Sequence, residues 1–274
     1  MIDFDPRSVY EAAAGDFSDA RSTLYPYANE RVLDGLRIRP NDQIFDAGCG
    51  AGDMAVLAAG LVGEGGSVLG VDIAPSMVRL ARERARKAGV THARFLVGDF
   101  EYMALEPESF DVVVCSFGIF FAKDVDATLR KLWRLLRPGG RLALTTVGRN
   151  FFSPVSGVFM DIAQSRLAAL SIPQPWKITE DLADLRITAT RAGLHSPCLE
   201  HEDYLVRLED VSDWWRIIQG SGLRAITMLM DTKTLGEVRT TTEAWMREHD
   251  IRALTFGINY LFAEKLTRQR ENEQ

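Results

Sequence analysis

Cysteine is scarce: Cys49, Cys115 and Cys198 are the only three, and none pairs with another at CxxC spacing. That scarcity argues against a disulfide framework and a structural zinc site, and it suits a reducing compartment. Long hydrophobic runs are missing as well. The apolar stretches, such as 112–115, fall far short of the roughly 20 residues that cross a bilayer. The opening Met1-Ile2-Asp3-Phe4-Asp5 is acidic and has no apolar core of the secretory kind. A cytoplasmic protein with no membrane span is expected. Positive charge is also short: 32 Lys and Arg against 38 Asp and Glu give a net −6 over 274 residues. A nucleic-acid partner that needs a broad basic face is therefore not expected. There is no internal repeat and no low-complexity segment. The composition, 46% hydrophobic and 26% charged, is that of an ordinary globular chain with ample apolar surface for a core.

Apolar periodicity divides the chain. Residues 8–36 read as helical, with Leu24, Ala28, Val32 and Leu36 at i+4 and Pro26 as a break or kink. A short strand, 43–47, runs into a glycine loop, and a helix follows over 52–61. A second strand covers 67–72, and Pro75 opens the next helix, where its missing N–H costs nothing. The arginines of that helix, Arg79, Arg82, Arg84 and Arg86, read as a solvated face. Further strands are expected at 93–97, 110–116 and 141–147. A helix over 125–136 precedes the last of these, stopped by Arg137-Pro138-Gly139-Gly140. The strands are nearly continuous apolar runs, as buried parallel strands should be. Later, 179–192 reads as a helix, and 198–208 and 253–266 as two strands pairing antiparallel at a sheet edge. The expected fold class is α/β: a doubly wound, mostly parallel seven-stranded sheet with an antiparallel edge strand and helical lid insertions. The chain reads as one domain, 1–274. It has a helical cap (1–40), a core (41–148), lid insertions (149–178 and 209–250), and a terminal helix and edge strands (179–208 and 251–268).

In such a sheet ligands bind beyond the carboxyl ends of the strands. The loop Asp46-Ala47-Gly48-Cys49-Gly50-Ala51-Gly52-Asp53 stands at the first of them. Its glycines let the backbone turn sharply and approach a ligand, and the helix beyond offers free N–H groups. The bland alternative is a tight strand–helix turn. A dinucleotide fingerprint would need glycine where Asp53 stands, and a carboxylate there would repel a pyrophosphate. A zwitterionic amino-acid moiety fits more easily, with amides for its carboxylate and acids for its ammonium. Asp72, 20 residues after Gly52, ends the second strand, where a carboxylate can accept both ribose hydroxyls; otherwise it is a helix cap. Asp99 follows the third strand and can accept from an adenine amino group, with Phe100 near the ring; alone this is a weak signal.

These motifs, in this order, resemble those of the class I S-adenosylmethionine-dependent methyltransferases over about 42–147. Residues 44–52 look like the family's first motif, Gly70-Val71-Asp72-Ile73-Ala74-Pro75-Ser76-Met77 like its ribose-binding strand end, and 135–142 like the turn before its fifth strand. Residues 111–118 are similar to the ubiquinone/menaquinone C-methyltransferase-like branch, which departs from this chain at Ile119-Phe120-Phe121-Ala122. The resemblance implies S-adenosyl-L-methionine as cofactor and S-adenosyl-L-homocysteine as product. It implies cofactor contacts from Asp46, Gly48, Cys49, Gly50, Gly52, Asp72, Ile73, Met77, Asp99, Phe100 and Ser116. It also implies an N-terminal helix folded across the cofactor, which makes Tyr10, Phe17 and Tyr25 candidate pocket residues.

The Asn-Pro-Pro-Tyr-type motif of DNA and protein amide methyltransferases is absent after strand four, where Ser116-Phe117-Gly118-Ile119 stands. A small, partly apolar acceptor is expected instead, methylated on oxygen, nitrogen or carbon. Phe120 and Trp214 are candidate acceptor contacts, although core packing would explain both. The catalytic base is not named by the sequence. No metal is expected: His195 and His201 would share one face of a strand while Cys198 points to the other. His201 reads as part of a polar edge strand, or else as a base. A cofactor-binding scaffold, or a methyltransferase fold with another reaction, is the first alternative. A nicotinamide oxidoreductase is the second, disfavoured by Asp53 and by the lack of a Tyr-x-x-x-Lys pair.

Overall fold

The structure is a computed structural model describing residues 5–17, 24–167 and 174–267. The expected cap, the first lid insertion and the C-terminal segment each include residues outside these (1–4 and 18–23, 168–173, and 268).

Five strands run parallel in the first half: β1 (Gln43–Ala47), β2 (Ser67–Asp72), β3 (Ala93–Val97), β4 (Phe110–Ser116) and β5 (Leu136–Val147). β6 (Cys198–Arg207) and β7 (Ala253–Glu264) complete a seven-stranded sheet of order β3-β2-β1-β4-β5-β7-β6. β1 lies between β2 and β4 and is buried along nearly its whole length, as its Ile44-Phe45 core and two-sided helical cover require. β7 pairs antiparallel with both β5 and β6. The two late strands thus pair at the sheet edge as expected, but only β7 runs against the others, and β6 is the edge. Its alternating exposed and half-buried residues suit that position.

Helices α3 (Asp53–Val62), α4 (Pro75–Lys87) and α5 (Val125–Leu135) connect the parallel strands. Leu129, Leu132 and Trp133 of α5 are buried, and the Asp124 carboxylate caps its first turn by accepting from the Ala127 N–H at 2.8 Å. The N-terminal segment forms α1 (Pro6–Ala13) and α2 (Leu24–Leu36). Pro26 does not break α2: it falls in the first turn, whose N–H groups have no partner within the helix. Nor does Arg137-Pro138-Gly139-Gly140 lie outside the sheet. The β4–β5 ladder pairs Phe110 with Leu136 and then Val112 with Arg141, so these residues are absorbed as a register shift.

The two insertions are each broken into separate helical pieces. The first contains α6 (Val155–Arg166) and a 3₁₀ helix, Pro175–Thr179; the second contains α8 (Asp213–Gln219), α9 (Arg224–Thr227) and α10 (Thr232–Glu248). The helix expected over 179–192 is α7, and it starts at Leu182 because Thr179 belongs to the preceding 3₁₀ helix. The arginine face of α4 is also less solvated than expected. Arg82 donates to the Phe95 carbonyl and Arg84 to the Ala51 carbonyl and the Asp53 carboxylate.

One buried ion pair ties the cap to the sheet. Arg141 of β5 donates to Asp42 at 2.7 Å and to the Leu36 carbonyl at 3.1 Å, at the end of α2. Arg141→Leu leaves Asp42 as an uncompensated buried charge, so the variant should lose about 3–5 kcal/mol in a denaturant titration. A loss below about 1 kcal/mol would show that α2 is anchored by packing alone.

Candidate cofactor and acceptor site

The site is built where four parallel strands end. After β1 the backbone enters the left-handed region at Gly48 (φ 75°), Gly50 (φ 52°) and Gly52 (φ 81°), which only glycine adopts without strain. The N–H groups of Gly48 and Cys49 donate to the Val71 carbonyl at 2.8 and 2.9 Å. The Gly50 N–H donates to Asp72 Oδ2 at 2.8 Å, and the Ala74 N–H to Oδ1 at 2.9 Å. One carboxylate at the end of β2 therefore holds the glycine loop against the start of the next helix.

Beyond this loop lies a cavity of about 420 Å³. Seven of the eleven cofactor candidates line it: Gly48, Gly50, Asp72, Ile73, Asp99, Phe100 and Ser116. Four stand behind its wall. Asp46 is 1% exposed. Cys49 is buried against the sheet, its Sγ 3.0 Å from where a Cβ on Gly70 would lie. Met77 packs in a cluster with Ala13, Phe17, Ala51 and Ala74. A Cβ on Gly52 would fall 2.8 Å from the Ala81 Cβ, so this glycine allows α3 and α4 to approach rather than a ligand. Asp53 pairs with Arg84 and is not part of the cavity wall.

Among the acceptor candidates, Tyr10, Phe17 and Tyr25 of the cap line the main cavity. Phe120 lines a second, narrow cavity of about 30 Å³ behind it. Trp214 lines neither. It is 0% exposed and packs edge-on against Phe152 and Phe159, at ring-centre distances of 5.7 and 5.8 Å. The helix α8 directs this indole into the core, which corrects its assignment to the acceptor site. His201 is elsewhere too: its Nδ1 lies 2.7 Å from Asn259 Oδ1, and it borders neither cavity.

Sequence reasoning missed Asp5, Tyr102, Phe117 and Lys123 as lining residues, all of which border the main cavity, and it read Phe120-Phe121 as a pair without telling which ring faces it. Asp5 had a local signal, since Asp5-Pro6 opens α1 as an N-cap followed by proline. Phe117 had none. It takes a positive φ of 52° at the end of β4, a strained conformation for a bulky residue, and its ring meets Tyr25 edge-on at 5.0 Å. Phe121 rather than Phe120 faces the main cavity because residues 119–121 form a 3₁₀ turn.

The electrostatics are acidic. Among the described residues, Asp5, Asp72, Asp99 and Glu101 border the main cavity, with Lys123 as the one cation. Burial, reinforced by the charges of Asp72 and Asp53, pushes the Asp46 carboxyl up to about 7. Burial likewise raises the thiols of Cys49 and Cys115, which makes both poor nucleophiles at neutral pH. Lys131 donates to the Phe100 and Glu101 carbonyls at 3.0 and 2.9 Å and so fixes the loop after β3.

The residues present fit S-adenosylmethionine. Asp46 Oδ2 and Ser116 Oγ are buried and have no hydrogen-bond partner among the described residues. Ser116 ends β4 and borders the cavity, where a polar ligand would satisfy it; Asp46 lies within β1, behind the wall. Among the described residues no three His, Cys, Asp or Glu side chains are grouped to hold a metal ion, and no helix is long and apolar enough to cross a membrane.

Comparison with known proteins agrees with this geometry. A family model described as "Methyltransferase domain" matches residues 38–182. The chain is 30% identical over 158 residues to the ubiquinone/menaquinone biosynthesis C-methyltransferase UbiE of Pasteurella multocida, covering 56% of this chain and 59% of that protein. It is 36% identical over 137 residues to nocamycin O-methyltransferase of Saccharothrix syringae, covering 50% and 49%. A solved structure of Haemonchus contortus phosphoethanolamine N-methyltransferase 2 superposes with a TM-score of 0.61 at 19% identity, covering 97% of this chain and 61% of that one. The chain belongs to the methyltransferase-domain family and has the fold of the class I S-adenosylmethionine-dependent methyltransferases. It spans about half to three fifths of the length of the curated relatives it matches.

Two outcomes follow for buried groups at and near the site. Free Asp46 titrates near 3.8 and folded Asp46 near 7, so the unfolded chain gives up a proton that the folded chain keeps. The stability from this group is therefore full below about pH 4 and lost as pH rises through 7. Asp46→Asn should raise the stability of the ligand-free protein by about 2–4 kcal/mol at pH 8 and leave it nearly unchanged at pH 4. Parallel pH–stability curves for the two proteins would contradict this. Trp214→Ala should cost about 3–5 kcal/mol in thermal or denaturant melts while leaving the affinity for S-adenosylhomocysteine as it is.

Proposed function

We propose that the protein is an S-adenosylmethionine-dependent methyltransferase acting on a small, partly apolar acceptor, by O-, N- or C-methylation. The observation that carries this reading is convergence: the Gly48–Gly50 loop, Asp72, Asp99 and Ser116, from four successive strand ends, border one cavity. Family membership and the fold support it, as do the C- and O-methyltransferase names of the relatives. When bound, S-adenosylmethionine supplies an electrophilic methyl group on a sulfonium, open to in-line attack by a nucleophile.

The chain's residues have separable tasks. Asp72 takes the ribose hydroxyls; each of its oxygens already accepts one backbone N–H and keeps acceptor capacity. Asp99 is pre-oriented by the Glu101 N–H at 2.9 Å and takes the adenine amino group, with Phe100 against the ring. The buried Asp46 and the acidic wall favour the ammonium and sulfonium charges. The glycine loop lets the backbone approach the methionine moiety with no Cβ in the way. Cap residues Tyr10, Phe17 and Tyr25 close the mouth and exclude water. Alignment of methyl and nucleophile is the main contribution, worth up to roughly 7–11 kcal/mol.

Calorimetry with S-adenosylhomocysteine tests the cofactor assignment. Asp72→Ala should weaken binding about ten- to a hundredfold, since a charged hydrogen bond contributes about 1.5–3 kcal/mol. Wild-type affinity in this variant would refute the ribose assignment. Transfer of labelled methyl from S-adenosylmethionine to a small phenolic acceptor would then establish the reaction.

A further inference from the structure

We propose that the narrow cavity behind the main one is the acceptor chamber, and that it selects a flat, uncharged, conjugated molecule. The proposal rests on the reading of the main cavity as the cofactor site. Tyr10, Tyr25, Phe117 and Phe121 border both cavities and form the partition between them. The far wall of the second cavity includes Phe151, Trp176 and Phe256. The Phe151 and Trp176 rings lie 4.7 Å apart at 35°, and Phe151 meets Phe256 edge-on at 5.6 Å. Surfaces of this kind match the faces and edges of a planar conjugated ligand.

Charge sorting points the same way. Among the described residues no charged side chain borders the second cavity, whereas four acids border the first. An ion moved into the chamber would lose its hydration without a counter-charge, a cost of several kcal/mol. Ring faces return only about 0.5–2 kcal/mol to a cation and nothing to an anion. An anionic acceptor would also have to pass the acidic wall of the first cavity. Among the described residues the polar side chains on its wall are Tyr10, Tyr25 and Ser221, all uncharged.

At about 30 Å³ the chamber holds one or two waters, so an aromatic acceptor must displace part of the partition. That displacement is assigned to Phe121, which is half-buried at the end of its 3₁₀ turn and packs against Tyr10 at 5.7 Å. Gly222 faces it. A Cβ there would lie 3.6 Å from Phe121 Cζ and 3.7 Å from the Tyr10 hydroxyl, ordinary contact distances. A side chain at 222 can therefore be introduced without a clash at its first carbon, and it occupies the passage into which Phe121 and the acceptor must fit.

The test titrates the full chain with 2-naphthol, 2-naphthoate and (2-naphthylmethyl)trimethylammonium, each with and without S-adenosylhomocysteine, so that the chamber and the cofactor site report separately. In the wild type 2-naphthol should bind at least about tenfold more tightly than either charged analogue. Gly222→Leu should weaken 2-naphthol at least about tenfold and Gly222→Ala about threefold, with S-adenosylhomocysteine affinity within about twofold of wild type in both. Gly222→Ala keeps the measurement decisive if leucine disturbs the fold. Equal or tighter binding of the anion or the cation, no 2-naphthol binding up to about 1 mM, or unchanged 2-naphthol affinity in the Gly222 variants would each overturn the chamber assignment. Failure of the wild type to bind S-adenosylhomocysteine would instead overturn the cofactor reading on which it rests.

Discussion

The Asp72 carboxylate is held by two backbone N–H groups, Gly50 on one side and Ala74 on the other, and the rest of the site depends on that arrangement. The parallel register of β1 and β2 pairs Ala47 with Val71, so the glycine loop leaves its strand beside the residue that precedes Asp72. Glycine is needed at 48 and 50 because the chain must turn through positive φ to bring its N–H groups to Val71 and Asp72. The same carboxylate thus shapes the loop and faces the cavity. The strand-end acid is a structural tie, and the position that makes it one also presents it to the cavity.

The charge distribution is uneven by construction. The first cavity gathers acids at its rim and hides one more beneath its floor, where burial drives Asp46 toward its neutral form. A cationic ligand would relieve that strain, so binding energy and folding energy are coupled at this residue. Behind the partition the wall carries rings and, among the described residues, no charge. The two cavities thus differ in character, the first an acidic environment and the second an aromatic one.

The cap and lids supply that second environment. The chain brings α1 and α2 over the strand ends, and the buried Arg141–Asp42 pair holds the far end of α2 against the sheet. Asn259 on β7 donates to the Thr179 and Glu180 carbonyls at 3.1 and 2.8 Å, which fixes the end of the 3₁₀ helix carrying Trp176. Both ties are buried polar groups, so each is expensive to break.

Much of the fold was legible in the sequence because it is a local matter. Apolar runs of strand length, glycines after 43–47, and acids after 67–72 and 93–97 determine a parallel sheet with a ligand loop at its strand ends, and the residues named from them converge on one cavity. Four of the eleven cofactor candidates lie behind the cavity wall for a reason no motif reveals. Gly52 answers to the approach of Ala81, Met77 and Cys49 to packing, and Asp46 to depth. Whether Phe120 or Phe121 faced the cavity was settled by one 3₁₀ turn, and whether Trp214 lined a pocket or filled the core by the direction of α8 against Phe152 and Phe159. The sequence by itself determined which chemistry the strand ends carry, since periodicity and backbone constraint act over a few residues. Only the tertiary structure decided which side chains face the ligand, because that depends on long-range packing between segments far apart in the chain.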